Sequence, residues 1–382
     1  MSAVYIHEAL RTVRGKGKRG GGLAGETPQS LVGALIDAAE ARGHDPRMRA
    51  DRLVLGTVGQ VGAQGGHIAM VAKMACTLPD TLAVHTVNNF CASGLSAIGL
   101  GAAAIDAGQA RWVLAGGVEM LSRVPFMADS ADYYTAADLA PERRYIPVAL
   151  AADLLAGKEG ISIPALDAVA LTSQTRALAA EGRAGLQASR IAVAGLTYDE
   201  TARAISAETL ASLQPAFALL AEQYSAALCG ARVEHRHTIG HSPPLADGAG
   251  LALLGPRGGA RARILAFAEA GADPRDSLTA GFVAMDQALT QAGLTLGQIE
   301  RIEFMEAFAV TIAKFLRDRA PDPARVNVGG GHIAKGHPMG ATGAILTSSL
   351  LDALADADAT LGLVVVSGAQ GVGAAMVLER LR

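Results

Sequence analysis

"VNNFCASGLSAIGLG", residues 87–101, sets one cysteine where an extended apolar stretch turns into a helix of small residues. Such a turn places the unpaired backbone N–H groups of the new helix around the residue at the junction. Cys91 therefore has two open readings. It is either a buried filler or a nucleophile whose thiolate is favoured by those N–H groups and by the positive end of the helix dipole. The same groups suit the oxyanion formed when a thioester is attacked, an effect of roughly 3 to 4 kcal/mol per donor. Cys76, in "MVAKMACTLPD", and Cys229 lack this setting and read as unreactive.

The stretch around Cys91 has a counterpart near the other end of the chain. "VHTVNNFCASGLSAIGLGAAAIDAG" (84–108) and "ARVNVGGGHIAKGHPMGATGAILTSSLLDAL" (324–354) both pass from a Val-Asn pair through a glycine-containing turn into a small-residue helix. Each is followed by a β-rich run, "RWVLAGG" in one and "GLVVVSG" in the other. Gly94, Gly99 and Gly101 would each cost up to about 1 kcal/mol relative to Ala in a helix interior, so two such helices are expected to meet at close range.

Around these segments, helical patterns such as "PQSLVGALIDAAEARG" alternate with short strands such as "RLVLGTVG" up to about residue 118. That alternation predicts an α/β lobe with a largely buried sheet. Residues 119–245 are richer in helix and loop and carry few strand signals, which predicts an inserted subdomain. From 246 to 382 the alternation resumes. The expected organisation is 1–118, 119–245 and 246–382.

Composition narrows the function. The 382 residues are 50% hydrophobic and 18% charged, enough to bury a large core. A net charge of −3 argues against broad binding to nucleic acid or anionic membrane. Three scattered cysteines form neither a disulfide framework nor a zinc motif. No apolar run reaches the ~18 residues of a membrane span, and the N-terminus lacks a secretory pattern, so a cytoplasmic protein is expected. The glycine-rich "GKGKRGGGLAGETP" lacks the Gly-Lys-Ser/Thr ending of a phosphate loop and reads as a solvated loop.

A nucleophilic thiol needs a base. "GHIAKGHPMGATG" offers His332 and His337, the latter restricted to extended backbone by Pro338. His235, His237 and His241 crowd the loop "HRHTIGHSPPLADG", where a polar loop is the simpler reading than a metal site.

These residues carry a resemblance. The chain resembles the thiolase family, in particular the acyl-CoA thiolases of fatty-acid β-oxidation, through "EALRTVRGKGK", "NNFCASGLSAI", "LAGGVEMLSRVP", "ETLASLQPAF", "ADGAG", "EAFA", "NVGGGHIAKGHPMGATGA" and "GAQGVGAAMVLE". The resemblance implies the thiolase fold: two duplicated α/β halves in a five-layered αβαβα core, with a loop domain inserted in the first half. It also implies homodimers or homotetramers, no bound cofactor or metal, and a coenzyme A thioester as substrate. Carried over, Cys91 takes the acyl group, His337 activates it, and the backbone N–H groups of Cys91 and Ser367 form the oxyanion hole.

Three positions depart from the family pattern. Met305 stands where thiolases have the Asn or His that positions a water for the enolate. Val365 stands where a second cysteine moves the α-proton, and Pro243 where a Ser contacts the pantetheine arm. Losing a positioned acid or base costs ~10² to 10⁴-fold in rate. His332 and Ser367 are the substitutes at hand. The leading expectation is an acyltransferase that works through acyl-Cys91 with altered Claisen chemistry, its donor an acyl-CoA or an acyl-carrier thioester. The alternatives are an ordinary 3-oxoacyl-CoA thiolase with a substituted proton carrier, and a non-catalytic acyl-CoA-binding partner subunit of a thiolase-like complex.

Overall fold

The repeat in the sequence is a repeat of structure. In this computed structural model, which describes residues 3–382, the first half contributes β1 (Val4–Thr12), β2 (Gly15–Lys16), β3 (Arg52–Gly56), β4 (Ala83–Val87) and β5 (Val113–Met120). Its helices are α1 (Pro28–Ala41), α2 (Pro46–Arg49), α3 (Ile68–Ala75) and α4 (Ser93–Asp106). The middle of the chain holds α5 (Val148–Lys158), α6 (Ile163–Glu181), α7 (Ala207–Ser212), α8 (Ala218–Gln223) and α9 (Ser225–Leu228), with only the two-residue β6 (Arg190–Ile191) among its described residues. Beyond it come β7 (Ala246–Gly255), β8 (Ala262–Gly271), α10 (Ala280–Ala292), β9 (Arg301–Phe304) and α11 (Ala309–Arg319). The chain closes with α12 (His332–Lys335), α13 (Thr342–Asp356), β10 (Leu361–Ser367) and β11 (Val372–Arg380).

The strands run in the order β4-β3-β5-β7-β1-β8-β11-β10-β9. The order reads symmetrically about the antiparallel contact between β1 and β8. β7 and β11 lie next to the centre, β5 and β10 next, then β3 and β9. The counterpart of β4 is reduced to a single parallel bridge between Ile302 and Val326. In register, Val326 opposite Ile302 takes the place of Val84 opposite Leu53, so the two Val-Asn pairs are offset along their strands. This pairing moves one expected boundary. β7 pairs with β1 and β5, so residues 246–255 complete the sheet of the first half rather than opening the second. Apolarity along the chain cannot reveal this, because a strand buried on both faces reads alike in either half.

α1 and α3 cover one side of the first half-sheet, α10 covers the second, and α4 and α13 lie between them. β5 and most of β10 are fully buried, as strands covered on both faces must be. α4 is buried nearly all round, which is why its apolar residues do not form a single stripe.

The two central helices approach as the glycines predicted, though not at every glycine. A Cβ on Gly94 would sit 2.7 Å from the Gly340 carbonyl oxygen, and one on Gly343 would sit 2.4 Å from the Leu95 backbone nitrogen. Gly99 and Gly101 instead make room for side chains of the sheets, Phe267 and Val113. The 15–28 segment forms the short β2 and then turns. Among the described residues, no helix is long and apolar enough to cross a membrane.

Gly343→Ala should destabilise the protein by about 1–3 kcal/mol, because the contact it meets is backbone and cannot rotate away. The urea midpoint of the variant against wild type checks this.

Candidate active site

Cys91 sits in a turn that its own neighbours build. The Asn88 side-chain oxygen accepts the Phe90 N–H at 3.0 Å. Ser93 Oγ accepts the Asn89 N–H at 2.8 Å and donates to the Phe90 carbonyl at 2.5 Å. These bonds hold Phe90 at a φ of +46°, a left-handed conformation that is strained for a phenylalanine. Cys91 follows at the start of α4, buried at the base of a cavity of about 600 Å³.

His337 reaches the same point from the other half. Gly336, at φ +88°, turns the chain where a Cβ would strike Ala246. The His337 N–H then donates to the Pro244 carbonyl at 2.7 Å, and its own carbonyl accepts from Ala246 at 3.3 Å. Its Nε2 lies 3.2 Å from Cys91 Sγ, and its Nδ1 lies 2.8 Å from Thr342 Oγ1. With the thiol donating to Nε2, the imidazole proton sits on Nδ1 and points at the threonine.

The electrostatics differ from the expectation of a resting thiolate. Burial, and then the charge of Glu119, push the Cys91 thiol up to about 12 despite the N–H groups of Ala369 and Cys91 that face the sulfur. Burial, and then the charge of Arg14, push His337 down to about 3. Both groups are neutral near pH 7. Desolvation outweighs the helix dipole because a buried anion loses its water, whereas the dipole supplies at most about 2 kcal/mol.

Ala369 replaces Ser367 as the second backbone donor. Ser367 still lies in the β10–β11 ladder opposite Gly373, whereas Ala369 lies past the strand end, where Gln370 at φ +57° turns the chain across the sulfur. Val365 is also displaced from its expected part. It is fully buried, pairs with Ala375 and does not line the cavity. Ser367, two residues on, does line it, and its Oγ accepts the Gly281 N–H at 3.2 Å in the first turn of α10. Met305 and Pro243 both line the cavity, and Met305 offers no hydrogen-bond donor there.

His332 stands behind His337, its ring 5.4 Å away, and is fully buried outside the cavity lining. Neither of its nitrogens has a hydrogen-bond partner among the described residues, and burial holds it well below the usual histidine range. It has no path to a substrate in the cavity. His235 and His237 both bond Asp153, at 3.0 and 2.8 Å, and His241 bonds Asp167 at 2.7 Å. These pairs rivet the loop that carries Pro243 onto α5 and α6. No group of three or more potential metal ligands occurs among the described residues.

Two participants escaped the sequence reading. Glu119 accepts N–H groups of Val58 (2.8 Å), Gly59 (3.0 Å) and Gly340 (2.9 Å), and so ties the end of β3 to the turn that follows His337. An acid inside the apolar run "VLAGGVEM" was its only signal. Tyr145 borders the cavity within an edge-to-face cluster with Tyr133, Tyr134 and Tyr224.

Comparison with known proteins agrees with this architecture. Residues 4–229 match the thiolase N-terminal domain and residues 259–380 the thiolase C-terminal domain. A steroid 3-ketoacyl-CoA thiolase of Mycobacterium tuberculosis is 32% identical, covering 100% of this chain and 95% of that protein. An acetyl-CoA acetyltransferase of Escherichia coli is also 32% identical, with both chains covered completely. The crystal structure of the Bacillus anthracis acetyl-CoA acetyltransferase superposes with a TM-score of 0.86 at 28% identity, covering 100% of this chain and 99% of that one. The chain belongs to the thiolase family. It is an enzyme of the acyltransferase class.

If the resting pair is neutral, the ultraviolet thiolate absorbance of wild type minus Cys91→Ala should be absent at about pH 7. A clear thiolate band there would mean an ion pair instead.

Proposed function

We propose that the enzyme transfers acyl groups from coenzyme A thioesters through a covalent acyl-Cys91 intermediate. The observation that carries this reading is the 3.2 Å contact between Cys91 Sγ and His337 Nε2, beneath two converging backbone N–H groups. As the sulfur attacks the thioester carbonyl, its proton passes to His337 Nε2. The carbonyl oxygen becomes an oxyanion held by the N–H groups of Cys91 and Ala369. Collapse breaks the bond to the coenzyme A sulfur, which leaves with the proton from Nε2. Neutral partners suit the oxyanion in this sequence, since its negative charge develops where the donors already point.

The second half-reaction is where this chain departs from its relatives. Met305 cannot position a water against an enolate, which handicaps a condensation that begins by removing an α-proton. The acceptor we favour is a carbon nucleophile formed by decarboxylation, or a thiol other than coenzyme A, neither of which needs that removal. A second reading, thiolysis of a 3-oxoacyl-CoA, gains support from Ser367. Its Oγ borders the cavity and accepts a helix N-terminal N–H, so its own proton is free to be donated. We propose a cytoplasmic homodimer or homotetramer without a bound cofactor.

Intact-protein mass after incubation with short, medium and bulky acyl-CoAs should show an acyl adduct in wild type and none in Cys91→Ala. His337→Ala should slow adduct formation by ~10² to 10⁴-fold. No adduct with any donor would favour an acyl-CoA-binding subunit or a carrier-protein donor. For the second reading, free coenzyme A should cleave a 3-oxoacyl-CoA, and Ser367→Ala should slow cleavage by at least about tenfold with acylation unchanged. Equal cleavage by both proteins would remove Ser367 from the chemistry.

A further inference from the structure

Arg14 lies just after β1, 1% exposed, in a part of the molecule that the acylation chemistry does not touch. Its Nη1 donates to the Gly336 carbonyl at 2.9 Å, the residue immediately before His337. Its backbone N–H goes to Asp199 Oδ1 at 3.0 Å, but its guanidinium does not. That carboxylate is taken bidentately by Arg11, at 2.8 and 3.0 Å. Among the described residues no carboxylate stands within ion-pair distance of the Arg14 guanidinium, and its Nε has no partner at all.

A buried guanidinium without a directly paired carboxylate is expensive to maintain, and a structural peg for one carbonyl does not require a charge. The guanidinium is bonded to the residue next to His337, and its charge acts on that imidazole in the same direction as burial. Other titratable groups surround the same region: Cys91 at the start of α4, Glu119 on β5, and His332 and Lys335 on α12. Glu303 and Glu306 stand at the end of β9, with Arg11 and Asp199 beyond. Burial pushes Glu303 up to about 7, so it is largely neutral at about pH 5, whereas Lys335, pushed down to about 8 by burial and by Arg11 and Arg14, remains a cation there. Burial also lifts Glu306, whereas Asp199 stays below the usual carboxylate range, with the charges of Arg11 and then Arg14 acting on it.

We propose that Arg14 is a positioning residue that anchors the Gly336 carbonyl and whose buried positive charge, in direct contact with no carboxylate among the described residues, adds to burial in keeping the His337 imidazole unprotonated. The base thereby stays available to Cys91 well into the acidic range. The inference rests on the acyl-Cys91 reading only through its kinetic readout. The sign is definite: a nearby cation opposes protonation, so neutralising it raises the pH at which His337 takes up a proton. Below that pH the imidazole cannot accept the thiol proton, and acylation falls.

The test is the rate of Cys91 acylation, followed by quenched intact-protein mass, at about pH 5 and about pH 8. Wild type, Arg14→Lys, Arg14→Gln and Arg14→Met are compared, with circular dichroism to confirm folding. Wild type and Arg14→Lys should acylate at similar rates at both pH values. Arg14→Gln, which can still bond the carbonyl, and Arg14→Met should be slower at the lower pH by at least about threefold. A uniform loss with an unchanged pH profile would reduce Arg14 to a peg and overturn the proposal. If the neutral variants do not fold, Arg14 is replaced by citrulline, which keeps the shape and the hydrogen bond without the charge, and His337 is titrated by NMR: a higher protonation pH than in wild type supports the charge role, and an unchanged titration overturns it, because burial alone then holds the imidazole neutral. If no wild-type adduct forms, the acyl-Cys91 reading fails while the same titration still judges Arg14.

Discussion

Everything at the catalytic centre depends on how closely α4 and α13 approach. Gly94 meets the Gly340 carbonyl, and Gly343 meets the Leu95 backbone, at distances that exclude any side chain. The contact joins the starts of two helices that come from opposite halves of the chain. One opens just after Cys91 and the other just after the turn that carries His337. A sulfur and an imidazole 246 residues apart in sequence are brought to 3.2 Å because two glycines let backbone rest on backbone. Glu119 reinforces the contact, since one carboxylate binds N–H groups from both sides of the joint.

The same burial that makes the joint rigid sets the chemistry. A dry site favours the uncharged thiol and the uncharged imidazole, and among the described residues the Nδ1 of His337 is bonded by the Thr342 hydroxyl rather than by a carboxylate. In the proposed acylation, negative charge is created during attack rather than stored beforehand, in a place where backbone N–H groups are already aimed. Met305 and Pro243 form part of the cavity wall around that arrangement.

Much of the fold was legible because glycine spacing, strand apolarity and the two Val-Asn turns are local properties. Cys91 and His337 could be named as a pair because each stands in a turn whose residues explain it. The errors have one kind of cause. Ser367 and Ala369 differ in role through a single left-handed residue, Gln370, past a strand end, and the apolar run "LGLVVVSG" does not say where the strand stops. Val365 looked like the altered position by counting back from that glutamine, yet the strand buries it away from the cavity. β7 went to the wrong half because sheet order is not written in hydropathy. The three loop histidines gave no hint that carboxylates on α5 and α6 would hold them.

The sequence by itself determined the family, the duplicated α/β plan, the turn that presents Cys91 and the glycines that permit close helix contact. These follow from short-range sterics and hydrogen bonds, which act between residues a few positions apart. Tertiary structure alone decided which backbone donors face the sulfur, which side chains reach the cavity and which protonation states the site adopts. Those outcomes depend on solvent exclusion and on charges such as Arg14 and Glu119, brought beside the site from distant parts of the chain.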